Sequence, residues 1–503
     1  MRPAHLVPAG AVLLALGVIA SAAQLARPAS SVPGPAAAPR QVLVTSAVRA
    51  CPPTQGGGAG EVAFIARPAS AASSSGGRAA GGRGEAELKP LPLAGAQLRP
   101  LSPIAQADPG TLSILTTQAA QSASKKAATV SAGWSLAATG AMAQALEAEE
   151  ATGTGVGSVR CGEPGSDLWF VGPGQQSGAA QIQLDLMNVD ALAASVDVSV
   201  ITDAGVVQAS NETGITVPPH QTVTESLSAQ AAGSSVVAIQ VRTSIGRVAA
   251  DVSETSSHGG TASWLPSTTA PSTQLVIPGV PPSGSAAGLY IVVPGSSNAR
   301  VSVLAITAQG HYRPFGTQTE DLPGDSASYV PLTPLGGTAA ALELTANVPV
   351  TAAVLVPGSG LGAFAVATAP VSEQAVVAGN TSGSGLSADI VLTAPAGSAR
   401  VRLTTTAEAS AASAAAGSPA TGSQVVSVAA GHTVTVPVSE PRGAKPKSVF
   451  AIVITPLSGS GPLYAARAET QGQNTVVSII PAVSALTTIN LPTVRDSYDA
   501  ISP

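Results

Sequence analysis

Apolar and polar positions follow one pattern that occurs three times after residue 165. Each occurrence opens with a short apolar run that ends in glycine, and a second apolar run and then an alternating segment come after it. The opening runs are 169–172, 275–279 and 375–379, with alternating segments at 195–200, 300–304 and 400–403. These runs begin 106 and 100 residues apart, which is the length of a β-sandwich domain and far exceeds a solenoid repeat.

This pattern predicts an all-β protein of tandem antiparallel β-sandwich modules of the immunoglobulin-like type. The predicted modules span residues 161–268, 269–370 and 371–503, and the third includes a C-terminal tail. The 53 glycines and 41 prolines supply the turns that many short strands need. Because only 3% of the residues are aromatic, we expect cores built mainly from Val, Leu, Ile and Ala.

The region 28–160 has a weaker pattern. It contains short strand-like runs, such as 41–48 and 62–66, and a Gly-, Ala- and Ser-rich tract at about 68–84. That composition is typical of disorder or loop, so we expect a protease to cut the tract early. Residues 134–150 are also compatible with a helix, because Ala, Leu, Met and Glu favour one, although the flanking pattern is β. We therefore predict a β-containing N-terminal region interrupted by a low-complexity tract.

The first 27 residues are predicted to be a signal peptide or a single-pass membrane anchor. Arg2 and His5 precede an uncharged stretch over 6–26, which is long enough to span a bilayer. The stretch also contains Ala20-Ser21-Ala22, which fits a signal-peptidase site, so both alternatives stay open. In either case the positive end precedes the apolar segment, which predicts export of the remainder of the chain.

Charge and composition bear on the partners of the protein. The net charge is only −5, and no run of Lys or Arg occurs that could neutralise a phosphate backbone. Nucleic acid is therefore not expected as a partner. The five histidines are scattered, and neither an HExxH nor a CxxC motif occurs, so no metal or cofactor is predicted.

The two cysteines, Cys51 and Cys161, both follow the apolar N-terminal segment. In an exported chain, the simplest use of such a pair is a disulfide, and two free buried thiols are the alternative. A disulfide would hold the N-terminal strand beside the start of the predicted module at 161–268. Trp169 lies eight residues after Cys161 and is predicted to be a large core side chain of that module.

Templates for catalysis do not occur in the sequence. No serine lies in a GxSxG elbow, and no GxxxxGK[ST] loop is present to hold a phosphate. Carboxylates are sparse, although a glycosidase pair could be assembled from residues distant in sequence. We therefore assign no catalytic residue and expect a protein that is not an enzyme.

The segment Cys161-Gly-Glu-Pro-Gly-Ser-Asp-Leu-Trp-Phe-Val-Gly172 carries a resemblance to a known family. Together with the start at Cys51-Pro-Pro and the ending Leu491-Pro-Thr-Val-Arg-Asp496, it resembles an actinobacterial exported family of unknown function, DUF5719. The resemblance implies export and architecture, and it favours the Cys51–Cys161 disulfide because both cysteines lie in motif positions. It implies no catalytic residues.

These observations lead to one main functional expectation and two alternatives. We expect a membrane-anchored or secreted cell-envelope protein whose non-catalytic modules bind or scaffold an envelope glycan or another envelope protein. Contact with the membrane would be made by the N-terminal helix, with the C-terminal region outside the cell. The alternatives are an enzyme acting on envelope polysaccharide and an accessory subunit of a membrane complex.

Overall fold

The computed structural model describes residues 40–54, 60–67, 84–94, 108–117, 132–152, 157–207, 213–257, 262–282, 287–314, 319–332, 335, 337–358, 360–381, 385–408, 421–472 and 475–491. The predicted N-terminal anchor at 1–27 lies outside these residues, and so does the low-complexity tract at 68–84 apart from Gly84. In the part that is described, no helix is long and apolar enough to cross a membrane.

The chain divides into two compact units. One comprises residues 1–42 and 488–503 and holds the two-stranded sheet of β1 (Arg40–Leu43) and β34 (Thr488–Leu491). The other comprises residues 43–487 and holds every other described strand. The following description concerns this second unit.

Strands β2 to β17 form the first half of the large unit. Module 1 consists of β2 (Ser46–Cys51), β3 (Gly60–Ile65), β4 (Ala86–Pro92), β5 (Ser113–Thr117), β6 (Ala132–Thr139), β7 (Glu147–Thr152) and β8 (Val159–Arg160). Module 2 consists of β9 (Asp167–Pro173), β10 (Ala179–Met187), β11 (Ala194–Thr202), β12 (Gly205–Val207), β13 (Ile215–Val217), β14 (Thr222–Ser226), β15 (Val236–Ile245), β16 (Ala249–Ser256) and β17 (Ser263–Leu265).

Strands β18 to β33 form the second half. Module 3 consists of β18 (Ser272–Val280), β19 (Ala287–Val293), β20 (Ala299–Thr307), β21 (Gly310–Tyr312), β22 (Glu320–Leu322), β23 (Ser326–Leu332), β24 (Ala340–Val356) and β25 (Ala363–Val366). Module 4 consists of β26 (Ala375–Asn380), β27 (Leu386–Ala394), β28 (Ala399–Ala407), β29 (Thr421–Val428), β30 (His432–Val438), β31 (Phe450–Pro456), β32 (Tyr464–Gln471) and β33 (Thr475–Pro481).

All four modules pair their strands in the same order. In module 2 one sheet has the order β12-β11-β15-β9 and the other has the order β14-β10-β16-β17. Module 1 repeats this as β4-β6-β2 and β5-β3-β7-β8, and module 4 as β29-β28-β31-β26 and β30-β27-β32-β33. In module 3 the long strand β24 serves both sheets, because its first half pairs with β18 and β20 and its second half with β19 and β25. The region 28–160 therefore contains a fourth copy of the repeat.

The all-β, antiparallel prediction is confirmed, and the structure departs from the expectation in two details. Residues 134–150 do not form a helix: they lie in β6, a 3₁₀ turn at Gly140–Ala143 and β7. Helix propensity is a weak preference, and here pairing with β2, β3 and β4 outweighs it. The strand order also differs from the immunoglobulin order, in which the first strand lies beside the second, since here β9 pairs with β15.

Local sequence explains the two sheets of each module. In β11 the apolar residues Val196, Val198 and Val200 point to one face and belong to the core shared with the opposite sheet of module 2. By contrast, β19 is buried along its whole length, because its second face packs against neighbouring modules. Its sequence is accordingly apolar throughout, with no alternation.

In each module, the first strand packs against the second-to-last strand of the next module. Strand β9 contacts β24, β18 contacts β32, and Ala50 on β2 clusters with Ala249 on β16. Strand β26 contacts β7, so module 4 packs on module 1 and completes a cycle of four interfaces. At Gly279 an added Cβ would clash with the Cβ of Ala466, so glycine at the end of the opening run permits this close approach.

Candidate functional site: a cavity lined by all four modules

The last strands of the four modules, β8, β17, β25 and β33, line one cavity of about 180 Å³. These strands lie at the edge of their sheets, next to the strands that form the cyclic interfaces. Apolar lining comes from side chains such as Leu168, Phe364 and Ile479, and polar lining from serines, Arg160 and two acidic residues, Glu163 and Asp251. The cavity therefore depends on the assembled modules.

One face of the sheet β14-β10-β16-β17 carries polar groups towards module 1. Asp185 on β10 pairs directly with Asp251 on β16, and Thr224 on β14 lies on the other side of Asp185. Val252 and Leu184, which neighbour these aspartates, point to the opposite face and into the core of module 2. The two aspartates consequently lie side by side, and both are buried.

Trp264 lies on the same face as Asp251. It pairs with Ser253, which is two residues after Asp251 on β16, so the Trp264 and Asp251 side chains are diagonal neighbours across the strand pair. Both residues line the cavity, and Trp264 is only half-buried. β17 thus places an aromatic ring beside a buried carboxyl group.

Burial controls the protonation of the two aspartates. Desolvation raises the pKa of Asp185 to about 6, although hydrogen bonds from Thr224 and Gln183 act in the opposite direction. The pKa of Asp251 is raised well above its ordinary value, first by desolvation and then by the charges of Asp185 and Glu150, against the effect of Arg160. Burial therefore favours the protonated form of Asp251, which can act as a hydrogen-bond donor. Its Oδ2 atom has no hydrogen-bond partner within the part of the chain that is described.

A chain of ion pairs forms the module 1 side of the cavity. The Glu147 Oε1 atom accepts hydrogen bonds from Arg160 at 2.6 Å and from Arg49 at 3.1 Å. Arg49 also contacts Glu163 Oε1 at 2.6 Å, and the Glu163 side chain is 59% exposed. Burial acts to lower the pKa of Arg160, but the charge and hydrogen bond of Glu147, together with the charges of Glu163 and Asp251, outweigh this and raise it. Arg160 is therefore a fixed cation beside the cavity.

A second buried cluster joins module 4 to module 1 at the cavity wall. Arg467 on β32 lies 2.8 Å from Glu149 on β7 and donates a hydrogen bond to Ser158 Oγ at 2.6 Å. It also bonds Ser478 Oγ at 3.1 Å, and Ser158 and Ser478 both line the cavity. Gly379 completes the cluster, because its N–H donates to Glu149 and its carbonyl accepts from Arg467.

The residues singled out from the sequence lie around the cavity without contributing side chains to it. Cys51 and Cys161 form a disulfide with Cα atoms 4.3 Å apart, and both residues are fully buried. The bond joins the first strand of module 1, β2, to the segment that follows its last strand, β8. Gly162, the residue after Cys161, lines the cavity. Trp169 is 4% exposed and belongs to the core of module 2. No group of metal-ligating side chains occurs among the residues that the structure describes.

Sequence reasoning missed the residues that line the cavity or lie beside it. Asp185 occupies a polar position of an alternating strand, which predicts a solvent-facing side chain, yet module 1 covers it. Trp264 lies in a strand of three residues among Ser and Pro, where no periodicity can be measured. The one available signal was the rarity of tryptophan, since the chain has only three.

The fold and the cavity define a class: an all-β protein in which four modules of one strand order enclose a site of small-ligand size. The chain belongs to a family of unknown function, DUF5719, whose model matches residues 116–439. This range contains the Cys161 to Gly172 motif, whereas Cys51 and the 491–496 ending lie outside it. Neither the curated proteins nor the solved structures include a match to the chain.

Proposed function

We propose that this chain is an exported cell-envelope protein whose modules bind or scaffold another envelope component without catalysing a reaction. The observation that carries the proposal is the shared cavity, because modules arranged in a cycle around one mixed apolar and polar site constitute a binding architecture. Each module keeps the same strand order, so the scaffold is repeated while the lining side chains differ.

Export is supported by the chemistry of the cysteines. Structural disulfides persist in oxidising compartments and are rare where thiols are kept reduced. The Cys51–Cys161 bond agrees with the sequence of residues 1–27, whose positive start and apolar stretch are typical of export. We further propose that the four modules are β-sandwiches, since in module 2 side chains of both sheets contribute to one core.

The test uses the full-length chain with a C-terminal tag in cells that export it. Protease added to intact cells should digest the modules, and the tag should remain with the envelope fraction. Thiol labelling after denaturation should require a reductant, because both cysteines are bonded. A chain that resists external protease and carries two free thiols would contradict the proposal.

Binding is tested with purified full-length protein and isolated envelope fragments. Co-sedimentation that saturates with protein concentration is the expected result, and fragments stripped of protein distinguish a glycan partner from a protein partner. Protein that remains in the supernatant with both kinds of fragment would overturn the binding role.

A second candidate is an enzyme that acts on envelope polysaccharide, favoured by one observation. Glu163 and Asp251 line the same cavity, and Asp251 has the raised pKa that a general acid needs. Release of new reducing ends from envelope polysaccharide by wild-type protein, and its loss in Asp251→Asn, would support this candidate over the first.

A further inference from the structure

We propose that the cavity binds a single saccharide ring, with the Trp264 indole stacked on its C–H face and the Asp251 carboxyl group hydrogen-bonded to a ring hydroxyl. This inference rests on the proposed binding function and names the class of ligand. It is carried by the position of the two side chains on one sheet face and by an unsatisfied carboxyl oxygen of Asp251, a residue that lines the cavity.

The size of the cavity suits one ring. At about 30 Å³ per water molecule in the liquid, its volume of about 180 Å³ has room for roughly six water molecules, which corresponds to a monosaccharide and not to a length of polymer. A longer glycan would therefore place only one of its sugar residues, at an end or within the chain, in the cavity. The remaining residues of such a glycan would stay outside.

The aromatic ring supplies one half of saccharide recognition. The face of an indole carries negative electrostatic potential, and the C–H bonds on one side of a pyranose present weakly positive hydrogens to it. Trp264 is suited to this contact because it is half-buried at the cavity wall, whereas Trp134 and Trp169 are 3% and 4% exposed and lie in cores. Its strand, β17, lies at the edge of the sheet and lines the cavity.

The polar side chains that line the cavity supply the hydrogen-bonding part of saccharide recognition. Asp251 is 6% exposed and its Oδ2 atom has no partner among the described residues, and a buried polar atom left in this state costs free energy. A ligand hydroxyl can both donate and accept, so it can satisfy Asp251 whether or not the carboxyl group holds its proton. Ser263 and Ser267 add further hydroxyls to the lining.

A hydroxyl-rich ligand fits this lining better than a fatty acyl chain or an anion. An acyl chain would leave the Asp251 carboxyl group unpaired in an apolar environment. An anion would require a free cation, but Arg160 is already paired with Glu147 at 2.6 Å, and Asp185 and Glu150 add negative charge near Asp251. A neutral polyol ring can pair with the Asp251 carboxyl group and does not require a free cation.

Intrinsic fluorescence of the full-length protein tests the inference directly. The probes are glucose, galactose, mannose and N-acetylglucosamine, each titrated to millimolar concentration with glycerol as a control for non-specific effects. Because two of the three tryptophans are in cores, we expect a saturable change in emission and reduced acrylamide quenching, both assigned to Trp264. If none of the four sugars produces a saturable change, the inference is overturned.

Variants assign the signal to the two residues. Trp264→Phe should abolish the emission change, and a change that persists in this variant would overturn the stacking role. Asp251→Asn keeps a donor and an acceptor and should bind within about threefold of wild type, whereas Asp251→Leu should weaken binding about tenfold, as expected for one lost hydrogen bond. Asp321→Asn, at a 73% exposed side chain in module 3, is the matched control and should bind as wild type does.

The outcomes separate this inference from the function on which it rests. If the protein sediments with envelope fragments but does not respond to any sugar, the binding function is supported and the saccharide site is overturned. If the protein neither sediments with the fragments nor responds to a sugar, both proposals are overturned. Equal weakening by Asp251→Asn and Asp251→Leu, with unchanged melting temperature in each variant, would show that Asp251 does not act through its hydrogen-bonding groups.

Discussion

Arg467 Nη1 lies 2.8 Å from Glu149 Oε1, and the two residues belong to the last and the first module of the cycle. Both side chains are almost completely buried. The pair thus connects parts of the chain that are more than 300 residues apart, at the interface that completes the cycle. Its neighbours Ser158 and Ser478 reach the cavity, so module closure and cavity shape depend on the same cluster.

Arg467→Met is therefore expected to destabilise the protein strongly. It leaves the Glu149 and Glu469 carboxylates buried without their cation, which should reduce the free energy of unfolding by about 3–5 kcal/mol. Urea unfolding followed by circular dichroism measures this loss. Adding Glu149→Gln to Arg467→Met should recover part of it, because one buried charge is removed.

Arg300→Met is the matched control for this prediction. Arg300 pairs with Asp321 at the surface, where both side chains are at least 70% exposed, so its removal should leave stability unchanged. Equal effects of Arg467→Met and Arg300→Met would contradict a structural role for the buried cluster.

Trp169→Ala should cost about 3–5 kcal/mol of unfolding free energy, because it removes a 4% exposed indole from the core of module 2. Trp169→Phe should cost less, since it retains an aromatic ring in the same space. Chemical denaturation followed by circular dichroism checks both variants. A loss below 1 kcal/mol for Trp169→Ala would mean that the core does not depend on this side chain.

Removal of the disulfide should destabilise module 1. The bond joins residues 110 positions apart, and for a loop of this length the chain-entropy model gives about 4–5 kcal/mol. The Cys51→Ser and Cys161→Ser double variant should therefore unfold at lower urea concentration than oxidised wild type. Non-reducing peptide mapping of wild-type protein should find Cys51 and Cys161 in one linked species, and two unlinked peptides would contradict the bond.

The Asp185 carboxyl group should make stability depend on pH. Because desolvation raises its folded pKa to about 6, above the unfolded value near 3.9, the folded state binds the proton more tightly. Its contribution is therefore most favourable at acidic pH and is lost as pH rises from about 4 to 6, by on the order of 3 kcal/mol. Urea unfolding across this range in wild type and in Asp185→Asn measures the effect.

Asp185→Asn should flatten that dependence and raise stability at pH 7, since an amide oxygen still accepts from Thr224 and Gln183 without a buried charge. Asp190→Asn should change the pH dependence of stability in the opposite direction. The Arg247 hydrogen bond lowers the pKa of Asp190, so this carboxylate stabilises the fold at neutral pH and loses that effect on acidification. Parallel pH profiles for the two variants would contradict both assignments.

Much of the fold follows from local sequence. Alternation in segments such as 195–200 specifies strands, because side chains in a strand point alternately to two faces, and glycine and proline specify the turns. The spacing of the opening runs revealed three modules. The fourth was not recognised because β3 and β6 are buried on both faces, so their sequences do not alternate, and low-complexity segments separate them.

The sequence by itself determined the all-β class, the repeat length and the pair of cysteines. The tertiary structure alone decided the strand order, the packing of module 4 on module 1 and the cavity. These depend on contacts such as Arg467–Glu149, in which neither residue has a sequence neighbour that signals its partner. Asp251 and Trp264 line the cavity together with residues of the other three modules, and no local periodicity encodes such an arrangement.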